Sequence, residues 1–276
     1  MGQGLVINSN VPALNTGRIL RRSTADLNRS LERLSSGLRI NRARDDAAGL
    51  AIAEGLRGRV RGLAVAQRNA QDGISLVQTA EGALGEVANI LQRMRELAVQ
   101  SANGTLADSP NRSDLQLEVT QLLAQVNAIA NQTEFNNIVL LNGSTASVTL
   151  QVGSKAGQTL AVTLQNSLTT GPLAISGVTV ATAAGASAAI TTIDTAFNTL
   201  NTARANLGAV QNRLEFTINT LAIQEENAAA AESAIRDADI ARETISFTRN
   251  QILVSAGTSV LAQANLVPQT ALQLLG

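Results

Sequence analysis

The two ends of this chain share one pattern, and the middle has another. Residues 14–132 and 190–266 repeat apolar side chains at every third or fourth position, whereas the segment between them is rich in Gly, Thr, Ser and Val. A spacing of three and four places apolar side chains on one face of a helix. The sequence therefore predicts two long helical arms around a small β insert, in a hairpin-shaped molecule whose arms pair with each other and with neighbouring copies.

The near absence of aromatic residues limits the kind of core that the chain can build. Aromatic residues make up 1% of the chain, and all of them are Phe. A round core of this size normally uses several large rings, because each ring buries much apolar area. Here Leu, Ile, Val and Ala must supply the burial, which predicts an elongated molecule with a thin core along helix seams.

The apolar spacing also divides the arms into separate helices. One stripe in the N-terminal arm ends near the sequence Ser35-Ser36-Gly37, which weakens or kinks a helix, and Asp45 and Asp46 are N-cap candidates for the next one. The C-terminal arm keeps its spacing from Ile190 to Ala228, and a last helix is predicted at about 237–266. The N-terminal stripe consists of Leu20, Leu27, Leu31, Leu34 and Leu38.

The middle segment predicts a β-hairpin. Apolar and polar residues alternate over 148–152 and again over 160–164, with the glycines of 153–157 between the two runs. We expect an irregular strand over 175–180 and a loop over 183–189. The predicted fold class is mainly α: long antiparallel helical hairpin or coiled-coil arms, a helical bundle and a small β-hairpin insert.

Composition excludes several kinds of function. With no His and no Cys, the chain has no Ser-His-Asp triad, no thiol nucleophile, no disulfide and no zinc-finger spacing. No apolar run is long enough to cross a membrane, and no cleavable secretory signal is recognisable. We therefore expect no enzyme, no cofactor and no membrane insertion.

Charge is uneven although the formal net charge is zero. Residues 1–68 hold twelve Arg and five acidic residues, whereas residues 225–243 hold six acidic residues and two Arg. Opposite charges favour pairing of the arms with each other or across subunits. Nucleic-acid binding is disfavoured, because no aromatic side chain accompanies the arginines for base stacking.

Long motifs at both ends resemble bacterial flagellin. They include ERLSSGLRINRARDDAAG (32–49), QRNAQDGISLVQTAEGAL (67–84), LQRMRELAVQSAN (91–103), TEFNNIVLLNG (133–143), LGAVQNR (207–213) and the tail from residue 251. The similarity covers roughly the first 153 and the last 85 residues, in the same order as in the family. The resemblance implies a structural subunit that self-assembles into the flagellar filament for motility.

The resemblance also implies a division into layers. Residues 1–43 and 236–276 would form the inner coiled-coil domain of the filament, and residues 44–235 an outer helical bundle with a β-hairpin. Within the outer part, a short, variable and exposed insert is expected at about 142–190. By the same resemblance, assembly buries a core that other copies cover, consisting of Leu27, Leu31, Leu34, Leu38, Ile252, Val260 and Leu261.

The partners that the resemblance implies are those of a secreted flagellar protein. The family is exported unfolded through the flagellar type III apparatus without a cleaved signal, with an export chaperone on the C-terminal segment, and it meets filament cap and junction proteins. The sequence LQRMRELAVQ is also similar to the surface recognised by the host's Toll-like receptor 5. On this chain, the matching contact positions are Arg93, Leu97 and Glu118.

Other functions remain open at this point. A hook-filament junction protein shares similar terminal motifs, although the tail AGTSVLAQANLVPQ favours the filament subunit. The Ser/Thr-rich insert raises a second alternative, an adhesin that binds through the insert. An inserted enzyme is disfavoured, because the insert is short and has no His for a zinc site.

Overall fold

Five long helices dominate the computed structural model, which describes residues 9–106, 108–164 and 167–273. The helices are α1 (Val11–Ser36), α2 (Ala47–Ala102), α3 (Ser113–Gln132), α4 (Ala183–Arg236) and α5 (Ile240–Gln273), and a π-helical turn at Asp108–Arg112 precedes α3. The strands are β1 (Glu134–Phe135), β2 (Ile138–Val139), β3 (Ser147–Gln151) and β4 (Thr159–Thr163). The mainly α fold with a small antiparallel hairpin confirms the predicted fold class.

The chain forms two compact units. Unit 1 consists of the residues up to Gly58 and those from Asn227 onward, and unit 2 consists of Arg59–Glu226. Helices α2 and α4 contribute residues to both units. The layers predicted with limits at residues 43 and 236 refer to an assembled filament, so that division stays a prediction.

Unit 1 is built on the antiparallel pairing of α1 with α5. Leu20 of α1 lies against Gly257 of α5, where an added Cβ would be 3.2 Å from the Leu20 Cδ1 atom. Further along, the guanidinium of Arg33 lies 3.6 Å from the carboxylate of Glu243. The two helices therefore run antiparallel, as the predicted pairing of the arms requires.

The turn after α1 is joined to the turn between α4 and α5. Gly37 adopts a left-handed conformation (φ 72°) that a glycine accepts without steric cost, and its N–H donates to the Arg33 carbonyl at 2.8 Å. The Arg39 N–H donates to the Arg236 carbonyl at 2.7 Å, and the Ala238 N–H donates to the Gly37 carbonyl at 2.9 Å. These backbone bonds hold the ends of the two arms together within unit 1.

Unit 2 buries aliphatic side chains along the seam between α2, α3 and α4. The spacing of three and four that the sequence shows is the spacing of the buried positions, so the thin aliphatic core is present in this unit. The largest fully buried side chains on the three helices include Leu84, Leu91, Met94, Leu97, Val119, Val126, Ile193, Leu200 and Leu214.

Part of the segment expected to be an exposed insert contributes instead to this core. Strands β3 and β4 pair from Ser147 opposite Thr163 to Gln151 opposite Thr159, which confirms the predicted hairpin. The chain beyond the hairpin then covers the helices with side chains that are almost fully buried. They are Leu164, Leu168, Leu173, Ile175, Val178 and Val180.

Two local predictions within this segment are wrong. Residues 175–180 form turns and irregular backbone instead of a strand. Residues 183–189, predicted as a loop, are the first turns of α4. The Thr182 hydroxyl accepts from the Gly185 N–H at 3.1 Å, which is the N-cap bond, and the alanines that follow favour a helix.

Side chains on the helices hold the irregular backbone in place. The Gln116 side-chain oxygen accepts from the Val180 N–H at 2.6 Å, and the Asn127 oxygen accepts from the Thr170 N–H at 3.0 Å. At the end of α2, the buried Arg112 donates to the carbonyls of Ser101 (2.8 Å) and Asn103 (2.9 Å). These bonds satisfy backbone groups that a segment without regular structure would otherwise bury unpaired.

We expect Gly143→Ala to lower the free energy of unfolding by about 1–3 kcal/mol. Gly143 has φ 82°, and an added Cβ would lie 2.9 Å from the backbone nitrogen of Ser167, so the substitution is both strained and crowded. The control is Gly82→Ala in α2, where an added Cβ meets nothing within 4 Å.

The control should raise stability by about 0.5–1 kcal/mol, because Ala is the better helix former. Urea titration followed by circular dichroism measures both effects. Equal effects of the two variants would contradict the assigned crowding at Gly143.

Candidate assembly and recognition surfaces

The residues predicted as the assembly core all lie on α1 and α5, or directly after α1, in unit 1, but they are not equally covered. Leu27, Leu34, Leu38 and Leu261 are half-buried. The side chains of Leu31, Ile252 and Val260 are 53%, 63% and 52% exposed. The stripe is therefore divided between side chains that the helix pair shields and side chains that the single chain leaves open to water.

The apolar surface of α5 extends beyond the predicted residues. Ile245 precedes Ile252 by seven positions, and Leu253 precedes Val260 by seven, so each pair lies on one side of the helix. Ile245 and Leu253 are also exposed. They line an open groove with Ile252, Thr244, Thr248 and Arg249. The seven-residue spacing was the sequence signal that could have identified both residues.

Ion pairs link the two arms within unit 1. Arg33 of α1 pairs with Glu243 of α5 at 3.6 Å, and both side chains are largely shielded from solvent. Arg236 at the end of α4 pairs with Glu54 of α2 at 2.9 Å. The first pair follows the predicted charge pattern, because its Arg lies in the N-terminal arm and its Glu in the C-terminal arm. In the second pair the Arg lies in the C-terminal arm and the Glu in the N-terminal arm.

Asp45 and Asp46, between α1 and α2, both accept hydrogen bonds from backbone N–H groups. The Asp46 Oδ1 atom accepts from the Gly49 N–H at 2.9 Å and begins α2. The Asp45 Oδ2 atom accepts from the N–H groups of Asn41 (3.3 Å) and Arg42 (3.1 Å). Burial alone would raise the pKa of Asp45, but the two N–H groups and the nearby arginines lower that pKa below its ordinary value.

The predicted recognition surface is an exposed ion-pair cluster on α2 and α3. The Arg93 Nε atom donates to the Glu118 carboxylate at 2.8 Å, and an Arg93 terminal nitrogen lies 3.2 Å from Glu96. The hydrogen bond to Glu118 is the largest of the effects that raise the pKa of Arg93, followed by the hydrogen bond to Glu96. Both Arg93 and Glu118 remain about half exposed, so a partner can reach them.

Leu97 does not lie on this surface. Its side chain is 1% exposed and belongs to the buried core of unit 2. Leu97 is therefore not accessible in the single chain, and its receptor contact, which the resemblance implies, stays a prediction. Leu97 follows Arg93 by one helical turn, so it can hold that part of α2 in place from below.

Metal-ligand clusters and membrane-spanning helices are both absent from the part of the chain that the structure describes. Across residues 9–106, 108–164 and 167–273, no three acidic side chains gather closely enough to hold a metal ion. Over the same ranges, no helix has both the length and the hydropathy of a membrane span.

Comparison with known proteins identifies the family. A family model of the bacterial flagellin N-terminal helical region matches residues 7–146, and one of the bacterial flagellin C-terminal helical region matches residues 190–275. The chain belongs to the bacterial flagellin family. It is 47% identical over 272 residues to a flagellin of Halalkalibacterium halodurans, and the match covers 98% of this chain and 100% of that protein.

Other relatives agree with this assignment. A Bacillus subtilis flagellin is 44% identical over 302 residues, covering 98% of this chain and 99% of the relative. The crystal structure of Bacillus cereus flagellin matches with a TM-score of 0.50 and 37% identity, covering 60% of this chain and 94% of that one. The chain is therefore a structural subunit of the flagellar filament, a homopolymer, and belongs to a family of structural proteins that are not enzymes.

The fold alone does not distinguish a filament subunit from a hook-associated protein. The structure of a putative flagellar hook-associated protein from Vibrio parahaemolyticus matches with a TM-score of 0.59 at 16% identity, covering 70% of this chain and all of that one. At this identity the likeness shows a shared fold only. The sequence identity to flagellins over nearly the whole chain is what decides between the two.

We expect Asp45→Asn to destabilise unit 1 in a pH-dependent way. Asp45 has a lowered pKa in the folded chain, so its carboxylate stabilises the fold fully above its unfolded pKa of about 4. That stabilisation is lost as pH falls through the folded pKa. At pH 7 the variant should be less stable by about 1 kcal/mol.

Thermal unfolding of both proteins from pH 7 to pH 2.5 measures this effect. The difference in midpoint should be largest at neutral pH and should shrink below about pH 4. A difference that stays constant over this range would show that the Asp45 charge does not contribute.

Proposed function

We propose that this flagellin assembles through the part of the apolar stripe that a single chain leaves exposed. The observation that carries the proposal is the division of the predicted core: Leu31, Ile252 and Val260 are open to water although they lie on the same helix pair as shielded residues. Exposed aliphatic stripes are stabilised when another surface covers them. Neighbouring copies in the filament supply that surface.

The same reasoning supports an inner position for α1 and α5 in the filament. Residues 1–43 and 236–276 form the inner coiled-coil layer, and residues 44–235 the layer outside it. The support comes from the exposed apolar residues of α1 and α5, which include Val11, Leu14, Ile19, Ile245 and Leu253 in addition to the predicted ones. A layer that is covered on several sides by other subunits requires apolar surface of this kind.

We expect Ile252→Asp to raise the critical concentration for polymerisation at least about tenfold. Ile252 is exposed in the single chain, so the variant should fold normally, but assembly would bury a carboxylate. Sedimentation of polymer from a concentration series, with electron microscopy of the pellets, gives the critical concentration.

The matched control is Gln251→Asp, which places the same charge one residue away at another exposed position of α5. It should polymerise close to the parent protein. Normal polymerisation by Ile252→Asp would remove this residue from the assembly surface, and equal inhibition by both variants would indicate a general effect of charge on α5.

The proposal includes the route to the filament that the family resemblance implies. The chain is exported unfolded through the flagellar type III apparatus to the cell exterior, where cap and junction proteins border the filament. An export chaperone covers the C-terminal segment before assembly. The groove on α5 that Ile245, Ile252 and Leu253 line supports this step, because these apolar side chains need cover until other subunits provide it.

The released monomer is recognised by Toll-like receptor 5 through the ion-pair cluster of α2 and α3. Arg93 and Glu118 support this role, because they are half exposed and hold each other at 2.8 Å in a defined orientation. A receptor that contacts both side chains meets a preorganised charged surface. Leu97 contributes from the core by fixing the position of α2 under Arg93.

We expect Arg93→Ala and Glu118→Ala each to weaken the response of a receptor reporter cell line about tenfold or more. The control is Arg95→Ala, which removes an equally exposed arginine that pairs with Asp194 at 2.8 Å on another part of the surface. The measurement uses monomeric protein, checked by sedimentation.

A parent monomer that gives no response would refute receptor recognition altogether. Equal losses in all three variants would show that the cluster of Arg93 and Glu118 is not the specific contact.

The adhesin alternative gains no support from the structure. It required the segment at 142–190 to be an exposed insert, whereas part of this segment supplies buried side chains to the core of unit 2, namely Leu164, Leu168, Leu173, Ile175, Val178 and Val180.

A further inference from the structure

Asn10 uses both ends of its side-chain amide at the start of α1. Its Oδ1 atom accepts from the Ala13 N–H at 3.0 Å, which makes Asn10 the N-cap residue of α1. Its Nδ2 atom donates to the backbone carbonyl of Ala264 in α5 at 2.8 Å. One short side chain therefore caps one helix and bonds to the backbone of the other.

The carbonyl of Ala264 lacks a hydrogen-bond partner within α5, for a reason that the sequence gives. In a helix, the carbonyl of Ala264 accepts from the N–H of the residue four positions later, which is residue 268. Residue 268 is Pro, which has no N–H. Helix α5 continues to Gln273, so Ala264 is an interior residue whose carbonyl lacks its usual partner.

Pro268 is the single proline in the sequence of α5, so no other interior carbonyl of this helix is freed in this way. Apolar contacts do not select one alignment as sharply, because side chains that repeat every seven residues pack again after a slip of one repeat. A hydrogen bond from Asn10 to a single available carbonyl permits only one alignment.

We propose that Asn10 and Pro268 form a matched pair that sets the register of α1 against α5. Pro268 exposes the acceptor, and Asn10 supplies the donor that fixes which part of α5 lies beside the start of α1. Asn10 is a positioning residue, because it acts through the alignment of the helices and not through a contact to another subunit. The consequence for assembly rests on the function proposed above, since register decides where Ile252 and Val260 are presented.

The first experiment is a double-mutant cycle with Asn10→Asp and Pro268→Ala. Asp keeps the oxygen that caps α1 but lacks the amide donor to Ala264. Ala at position 268 restores the N–H that occupies the Ala264 carbonyl within α5. The readout is the critical concentration for polymerisation of the full chain.

In the parent background, Asn10→Asp should raise the critical concentration about two- to tenfold, as expected for one hydrogen bond. In the Pro268→Ala background the same substitution should raise it less than about twofold, because the bond no longer has a free acceptor. Any effect of Pro268→Ala alone on polymerisation cancels, because the test compares the effect of Asn10→Asp between the two backgrounds. Equal effects of Asn10→Asp in both backgrounds would overturn the proposal.

The second experiment reads the register directly, using the absence of cysteine in the chain. An added Cβ at Gly257 would lie 3.8 Å from the Leu20 Cβ atom, the ordinary separation in a disulfide. The pair Leu20→Cys with Gly257→Cys therefore reports the native register. Two further pairs, Ala13→Cys or Leu27→Cys with Gly257→Cys, report a slip of one seven-residue repeat in either direction.

Oxidation of dilute monomer and of polymer, followed by non-reducing gels, gives the yield of each intrachain disulfide. With Asn10 present the native pair should dominate, and Asn10→Asp should shift yield towards the slipped pairs by at least twofold. An unchanged distribution would overturn the proposal. If the parent chain fails to polymerise, the assembly role fails, while the monomer disulfides still decide whether Asn10 sets the register.

Discussion

The packing of both units depends on the burial of aliphatic side chains along helix seams. The chain has almost no aromatic residues, so no single side chain contributes a large share of the core. Leu, Ile, Val and Ala on α2, α3 and α4 fill unit 2. The seam is closed by further buried side chains from outside the helices, namely Leu164, Leu168, Leu173, Ile175, Val178 and Val180. A thin seam leaves much of each helix surface unburied, which a polymer can use.

Polar side chains give these seams their alignment. Aliphatic contacts repeat along a helix and are tolerant of sliding, whereas a hydrogen bond to one backbone group is not. Asn127 and Gln116 fix the irregular segment against α3, Arg112 closes the end of α2, and Asn10 joins α1 to α5. Each of these bonds also satisfies a backbone group that lacks a partner in regular secondary structure.

The two candidate surfaces differ in how the structure prepares them. On α5, exposed aliphatic side chains need another chain to cover them, so their role is completed by assembly. On α2 and α3, Arg93 is already paired with both Glu118 and Glu96, so this surface is formed in the single chain. Leu97, from the same motif, is buried in the core of unit 2.

The sequence by itself determined the helical arms, the break at Gly37, the capping role of Asp46 and the β3–β4 hairpin, because each follows from local spacing or backbone preference. It also identified the family, because long motifs persist at both ends. Only the tertiary structure decided that Leu168, Ile175 and Val180 are buried, that Leu97 faces the core and that Asn10 meets Ala264. These outcomes depend on which surfaces come together across distant parts of the chain, and local periodicity does not contain that information.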